Sequence, residues 1–210
     1  MDLDRPPDIV VIAGGAPIDR AQASVVSPDA RVVAADAGVD RARSLGWRVD
    51  VAVGDFDSLD PQHAARLPRD KDATDLELAL DVALEAAPAR VLVAGIEGGR
   101  PDHALANLLV ASSDRFARLE IELSLEGGRA WVVRDELTGS LPAGAVVSLV
   151  AVHGPATASV DGVRWPLDHD LLDAGSTRGV SNRSTGGALT LAVHDGTVLC
   201  IAPRTMEDDR

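Results

Sequence analysis

Asp50-Val51-Ala52-Val53-Gly54-Asp55-Phe56-Asp57 is a short apolar run that stops at a glycine and passes directly into two aspartates. Four to six apolar residues bounded by a breaker read as a buried strand. The same grammar recurs on either side. Asp8–Ala13 (DIVVIA) ends in Gly14-Gly15, Arg31–Ala35 (RVVAA) in Asp36, and Arg90–Ala94 (RVLVA) in a loop holding Glu97, Gly98, Gly99, Arg100, Asp102 and His103. Between these runs lie stretches with helical spacing, at Val39–Leu45, Asp75–Ala87 and Asp102–Ala111, and two further strands are expected at Leu119–Leu125 and Arg129–Val133. Apolar strands alternating with helices indicate an α/β domain with a mostly parallel sheet and flanking helices.

After Asp135 the pattern changes. Thr138–Gly144 reads as a turn-rich connector, followed by strand-like runs at Val146–Val152, Ala156–Val160, Val163–Leu167 and Ala188–Val193. The last is expected to form a hairpin with Thr197–Ala202 across His194-Asp195-Gly196. The expected organisation is an α/β domain over residues 1–137 and an all-β domain over 144–204.

Composition narrows the function. The 210 residues hold 33 acidic and 20 basic side chains, a net charge of −13, which argues against nucleic acid and against an anionic membrane as partner. The N-terminus lacks a signal-peptide pattern and no apolar stretch approaches the roughly 18 residues of a membrane span, so a cytoplasmic protein is expected. The single cysteine, Cys200, excludes an intramolecular disulfide and reads as a core residue. Lys71 is the only lysine and lies between two aspartates, which excludes a Walker A loop. Neither a G-x-G fingerprint nor a G-x-S-x-G elbow occurs.

In a parallel sheet the loops after the strands emerge at one edge, where open α/β folds bind ligands. Asp36, Asp55, Asp57 and the 97–103 loop are therefore brought to one crevice. Asp55 and Asp57, two apart on an extended segment, point the same way and suit Mg²⁺, a cation that takes carboxylates, waters and substrate phosphates. Asp75 opens a helix behind Thr74, an arrangement that is also an ordinary helix cap with Glu77. Asp72 and Asp75 both follow Lys71 closely, which the cap does not explain. Pro101 suits the first position of a helix, whose free N–H groups can receive phosphate, and Arg100 beside it can grip phosphate oxygens. Gly14-Gly15 is either a second phosphate cradle or a plain turn. Phosphoryl-type transfer fits this set, because it needs positioning and charge neutralisation more than a nucleophile.

The runs VGDFDSLD (53–60), KDATDLELAL (71–80) and GIEGGRPDHALANLL (95–109), with GVRWPL (162–167) and GVSN (179–182), resemble the thiamine pyrophosphokinase family in order and over nearly the whole chain. The resemblance implies a Rossmann-like N-terminal domain, a C-terminal β-sandwich, and a homodimer with active sites in clefts between subunits. It implies transfer of the diphosphate of ATP to the hydroxyl of thiamine, giving thiamine diphosphate and AMP. By motif match, Asp55, Asp57, Asp75 and Asp102 would surround Mg²⁺ and the triphosphate, with Asp55, Asp57 and Asp75 as metal ligands. Arg100, His103, Lys71, Asn107, Gly14 and Gly15 would contact ATP. Trp165, Ser181, Asn182 and Asp36 would face thiamine. Where the family shows Asp-Gly-Gly-Ala-Asn, this chain has Asp36-Ala37-Gly38-Val39-Asp40, a departure that bears on the acceptor.

Rival readings remain distinguishable. A haloacid-dehalogenase-type phosphatase shares a D-x-D after a strand but needs a lysine well downstream, and Lys71 lies only 14 residues past Asp57. A related diphosphokinase acting on a pterin alcohol would differ in acceptor alone. A non-catalytic nucleotide-binding module would bind ATP without forming AMP.

Overall fold

The computed structural model describes residues 1–18, 23–24, 26–54, 64–66, 73–87, 89–98 and 100–204. Contacts divide the chain into two compact units, Pro6–Glu126 and Met1–Arg5 with Gly127–Arg210.

The first unit carries six strands: β1 (Ile9–Ile12), β2 (Arg31–Ala35), β3 (Val51–Gly54), β4 (Ala64–Arg66), β5 (Ala89–Ala94) and β6 (Leu119–Leu125). They lie in the order β6-β5-β1-β2-β3-β4. Every pair is parallel. Helices α1 (Gly38–Ser44), α2 (Asp75–Glu85) and α3 (Pro101–Ala111) follow β2, β4 and β5.

β1, β2, β3, β5 and β6 are buried along most of their length because a parallel sheet is covered on both faces. Val10, Ile12, Val32 and Leu92 pack with Ala42 of α1. Val11, Val33 and Val91 alternate to the other face and are equally buried. Helix α2 lies against β1, β2 and β3 and buries Leu76, Ala79, Leu80 and Ala83. The chain steps outward from β1 through β4, then returns to β5 on the other side of β1. The loops after β1 and β5 thus leave in opposite directions, which opens a crevice at the carboxyl ends of the strands.

The second unit is antiparallel: β7 (Gly128–Val133), β8 (Glu136–Ser140), β9 (Val146–Asp161), β10 (Leu167–Leu172), β11 (Asn182–Arg183) and β12 (Ala188–Pro203). β10 pairs with β9, β9 with β12, and β12 with β7, while β8 adds to β12 and β11 to β9. Trp131, Leu137, Leu149, Val160, Leu191 and Cys200 belong to its core. Burial pushes the Cys200 thiol up to about 12, as befits a packed, inert side chain. The N-terminus joins this unit, since Leu3 N–H donates to the Thr138 carbonyl and Thr138 N–H to the Met1 carbonyl, at 2.8 and 2.9 Å.

Several local expectations change here. Ala188–Val193 and Thr197–Ala202 do not pair with each other across a turn. They are two halves of β12, and each pairs with β9 through register shifts around Asp195. His194-Asp195-Gly196 forms an irregularity in which Gly196, at φ +81°, lies so near Pro155 that a Cβ would fall 2.5 Å from its carbonyl oxygen. Val146–Val152 and Ala156–Val160 likewise merge into β9, with His153 at φ 62° between them. Thr138–Ser140, read as connector, belongs to β8, and β10 begins at Leu167, where the expected Val163–Leu167 strand ends. β7 and β8 both pair with β12, so residues 127–137 belong with the second unit. Among the described residues, no helix is long and apolar enough to cross a membrane.

Candidate functional site

A cavity of about 630 Å³ occupies the crevice of the first unit. Its walls come from the loop after β1 (Ala13, Gly14, Gly15), the loop after β2 (Ala35, Asp36, Ala37), the start of α2 (Ala73–Leu76), the loop after β5 (Gly95, Ile96, Gly98, Arg100) and α3 (His103, Asn107). Of the residues singled out from sequence, the structure brings Gly14, Gly15, Asp36, Asp75, Arg100, His103 and Asn107 together here. Asp55, Asp57 and Lys71 lie outside the described residues.

Each wall has a local cause. Gly15 donates its N–H to the Gly95 carbonyl at 2.8 Å, and a Cβ there would fall 2.0 Å from the Glu97 oxygen. The β1 and β5 loops therefore touch backbone to backbone, so Gly15 is required by packing whatever it also does for a ligand. Gly14 makes room for its neighbour across the crevice: a Cβ on it would lie 2.8 Å from that of Ala37. Asp36 adopts a left-handed φ of 47°, unusual for a side-chain-bearing residue and tolerated by aspartate, with its N–H donating to Val53 carbonyl at 2.8 Å. That conformation turns the chain from β2 into α1 at the mouth of the cavity.

Thr74 caps α2, its hydroxyl accepting from Glu77 N–H at 3.3 Å. The Glu77 carboxylate is engaged elsewhere, by Arg115 at 2.6 Å. Asp75 is thus the carboxylate that the α2 start supplies to the cavity wall. At the start of α3, Arg100 binds both carboxylate oxygens of Asp102, through Nε at 3.1 Å and a terminal nitrogen at 2.5 Å. This hydrogen bonding holds Asp102 below, and Arg100 above, its ordinary pKa. Asp102 is exposed and is not a cavity wall, unlike its partner Arg100. Buried Asn107 donates its side-chain amide to the Ile96 carbonyl at 3.0 Å, so it shapes the β5 loop. Arg41, not singled out from sequence, donates from α1 to the Gly15 carbonyl at 3.2 Å. Its position, four residues after Ala37 on the helix beside the crevice, is the only sequence signal it offers.

The second unit has a groove of about 350 Å³ walled by Trp165, Pro166, Leu167, Asp170, Arg178, Gly179, Val180 and Asn182. Asn182 is buried, and its amide brackets Trp165: Oδ1 accepts from Trp165 N–H at 3.1 Å and Nδ2 donates to the Trp165 carbonyl at 2.6 Å. Trp165 is 54% exposed. Ser181, at φ 64°, donates its N–H to the Ser148 hydroxyl at 3.0 Å and is not a groove wall. Arg178 and Asp170, which pair with each other, are groove residues that the sequence did not single out.

The carboxylates lining the cavity, Asp36 and Asp75, are hard oxygen donors of the kind Mg²⁺ takes. Among the described residues no group of three His, Cys, Asp or Glu side chains is placed to hold a metal.

Residues 23–123 match "Thiamin pyrophosphokinase, catalytic domain", and residues 134–198 match "Thiamin pyrophosphokinase, vitamin B1 binding domain". A curated relative, thiamine pyrophosphokinase of Bacillus subtilis (strain 168), is 39% identical over 82 residues, a stretch covering 34% of this chain and 38% of the relative. Among solved structures, the crystal structure of thiamine pyrophosphokinase from Bacillus subtilis superposes with a TM-score of 0.82 at 23% identity, covering 94% of this chain and 99% of that one. The enzyme from Geobacillus thermodenitrificans gives 0.80 at 26% identity, covering 94% and 98%. The one from Candida albicans gives 0.73 at 13%, covering 93% and 90%. The two domain matches run in sequence order and fall one on each structural unit for most of their length. The chain belongs to the thiamin pyrophosphokinase family.

Proposed function

We propose that this chain transfers the β,γ-diphosphate of ATP to the hydroxyl of thiamine, giving thiamine diphosphate and AMP. The observation that carries the reading is the cavity at the reversal of strand order, walled by glycine loops, carboxylates and Arg100, in a chain whose two units match the family's two domains. The strand order β6-β5-β1-β2-β3-β4 supports a Rossmann-like sheet, and the antiparallel unit supports a β-sandwich.

In this reading the first unit holds the triphosphate and the groove beside Trp165 holds thiamine. The N–H groups opening α2 and α3 offer donors to phosphate oxygens. Arg100 exchanges Asp102 for phosphate, keeping a bidentate partner throughout. His103 and Asn107 complete the nucleotide side together with Gly14, Gly15 and Lys71, and Asp36 borders the acceptor. Asp55, Asp57 and Asp75 would hold Mg²⁺, with Asp102 close to the triphosphate. Once bound, Mg²⁺ neutralises charge on the phosphate oxygens. The thiamine hydroxyl oxygen forms a bond to the β-phosphorus as the bond from that phosphorus to the α-phosphate oxygen breaks. AMP departs in line, and the hydroxyl proton passes to a carboxylate or to solvent. Only positioning and charge neutralisation are asked of the protein.

A homodimer completes the proposal, with each site in a cleft between subunits. Leu105 and Leu109, one turn apart on α3, are exposed apolar side chains that support it. A cytoplasmic location, where ATP is abundant, is part of the same proposal.

The test is a reaction of purified protein with Mg²⁺, ATP and thiamine, its nucleotides and thiamine species separated by chromatography. Thiamine diphosphate and AMP should appear one for one. ADP as the product would overturn diphosphate transfer. AMP formed only with a pterin alcohol would overturn the acceptor, and ATP binding without any AMP would reduce the protein to a binding module.

A further inference from the structure

The groove in the second unit has one side chain on its margin that neither the fold nor the proposed reaction has used. The guanidinium of Arg164 lies over the Trp165 ring, 4.8 Å from its centroid. Arg164 is not among the residues that wall the groove. The cation thus sits over a ring that also walls the groove, without being a groove wall itself.

The surroundings make Trp165 a prepared platform. Its N–H and carbonyl are both tied to buried Asn182. Arg164 N–H donates to the Arg183 carbonyl at 2.8 Å, and Val163 bridges Ser184. Pro166 disfavours helical backbone at Trp165. With the backbone held on both sides, the freedom left to a half-exposed indole is rotation about its side-chain bonds. A guanidinium stacked on one face removes much of that freedom before a ligand arrives, which is how preorganisation strengthens binding.

The charge of the clamp matters as much as its position. A ring that already hosts a cation on one face is a poorer host for a second cation on the other, because both draw on the same quadrupole. Thiamine carries one neutral aromatic ring, the aminopyrimidine, and one cationic ring, the thiazolium. We propose that Arg164 is a positioning residue for the acceptor: stacked on Trp165, it fixes the indole and directs the neutral ring of thiamine onto the open face, leaving the thiazolium and its hydroxyethyl arm to point away. The inference rests on the groove being the acceptor site.

The experiment compares steady-state constants and calorimetric thiamine binding for the wild type, Arg164→Ala, R164K and Trp165→Ala. Arg164→Ala should raise the thiamine KM and the dissociation constant about fivefold with kcat nearly unchanged, and R164K, which keeps a cation, should restore both to within about twofold. Trp165→Ala should raise them more. The neutral aminopyrimidine fragment alone should bind the wild type, and more weakly after Arg164→Ala. If Arg164→Ala leaves KM unchanged or lowers it while Trp165→Ala raises it, the clamp is overturned and the acceptor site stands. If Trp165→Ala also has no effect, the acceptor site itself falls.

Discussion

Arg100 and Asp102 form a two-pronged ion pair across the first turn of α3, with Arg100 in the cavity wall and Asp102 outside it. Both side chains are mostly exposed, 70% and 62%. Such pairs contribute little to stability, so the arrangement suits a cation held beside the proposed phosphate site. Arg100→Ala should leave the thermal midpoint within about 2 °C while lowering kcat/KM for ATP about ten- to a hundredfold, the usual loss for a charge-assisted hydrogen bond. The pair should also show in a titration. Arg100 holds the Asp102 carboxyl below its ordinary 3.8. A depressed carboxylate contributes whatever stability it has above its unfolded pKa and loses it as pH falls through the folded one. The pair should therefore stay closed at neutral pH and open only in acid below the ordinary carboxylate range. Carboxyl-carbon NMR should show Asp102 shifting back toward 3.8 in the Arg100→Ala protein.

Gly15 tests the architecture of the cavity apart from its chemistry. A Cβ at this position meets two carbonyl oxygens, those of Glu97 and Gly95, at 2.0 and 2.4 Å. Neither is the far end of a flexible side chain, so the loops after β1 and β5 must separate. Gly15→Ala should cost about 1–3 kcal/mol in denaturant unfolding. Ala37→Gly, across the crevice, removes one methyl from an exposed residue and should change stability by less than about 1 kcal/mol. Equal stability of the two variants would show that the loops do not touch as described.

How much of this was legible in the sequence follows from which interactions are local. β1, β2, β3 and β5 are short apolar runs closed by glycine or aspartate, and a parallel order then sends Asp36 and the loop holding Arg100 to one edge without any long-range knowledge, whereas β4 (Ala64–Arg66) shows no such run. The second unit was harder because a bulge and a turn look alike in sequence. His194-Asp195-Gly196 carries the residues of a hairpin loop, yet β9 supplies an irregularity of its own at His153-Gly154, and the two bends nest to make one long strand pair. Side-chain partners were equally hidden. Nothing local says that Glu77 will be taken by Arg115 or that Arg41 will reach Gly15. Each depends on elements that meet only after folding.

The aspartates after β3 carry the metal proposal. Asp57→Asn keeps the size and hydrogen-bonding capacity of the side chain but removes the charge that a divalent cation needs. Far-UV circular dichroism should match the wild type, while kcat falls by at least about a hundredfold. Chelation of divalent cations should abolish turnover in the wild type, and added Mg²⁺ should restore it. Near-normal turnover of Asp57→Asn would remove this residue from the metal set.

Helix α3 joins the site to the proposed dimer. Its sequence, PDHALANLLVA, is apolar over most of its length, yet only Asn107 and Ala111 are buried in this chain. Leu105 and Leu109 are 60% and 41% exposed and lie one above the other. A second copy is the covering we propose for this face, and the same helix carries His103 into the cavity wall. Sedimentation of the wild type should give a dimer. Leu105→Glu with Leu109→Glu should give a folded monomer, since neither leucine belongs to the buried core, and its turnover should fall by at least about tenfold if the site is completed across the interface. A wild type that sediments as a monomer and turns over at full rate would overturn the homodimer. A double variant that remains dimeric would move the interface to another face.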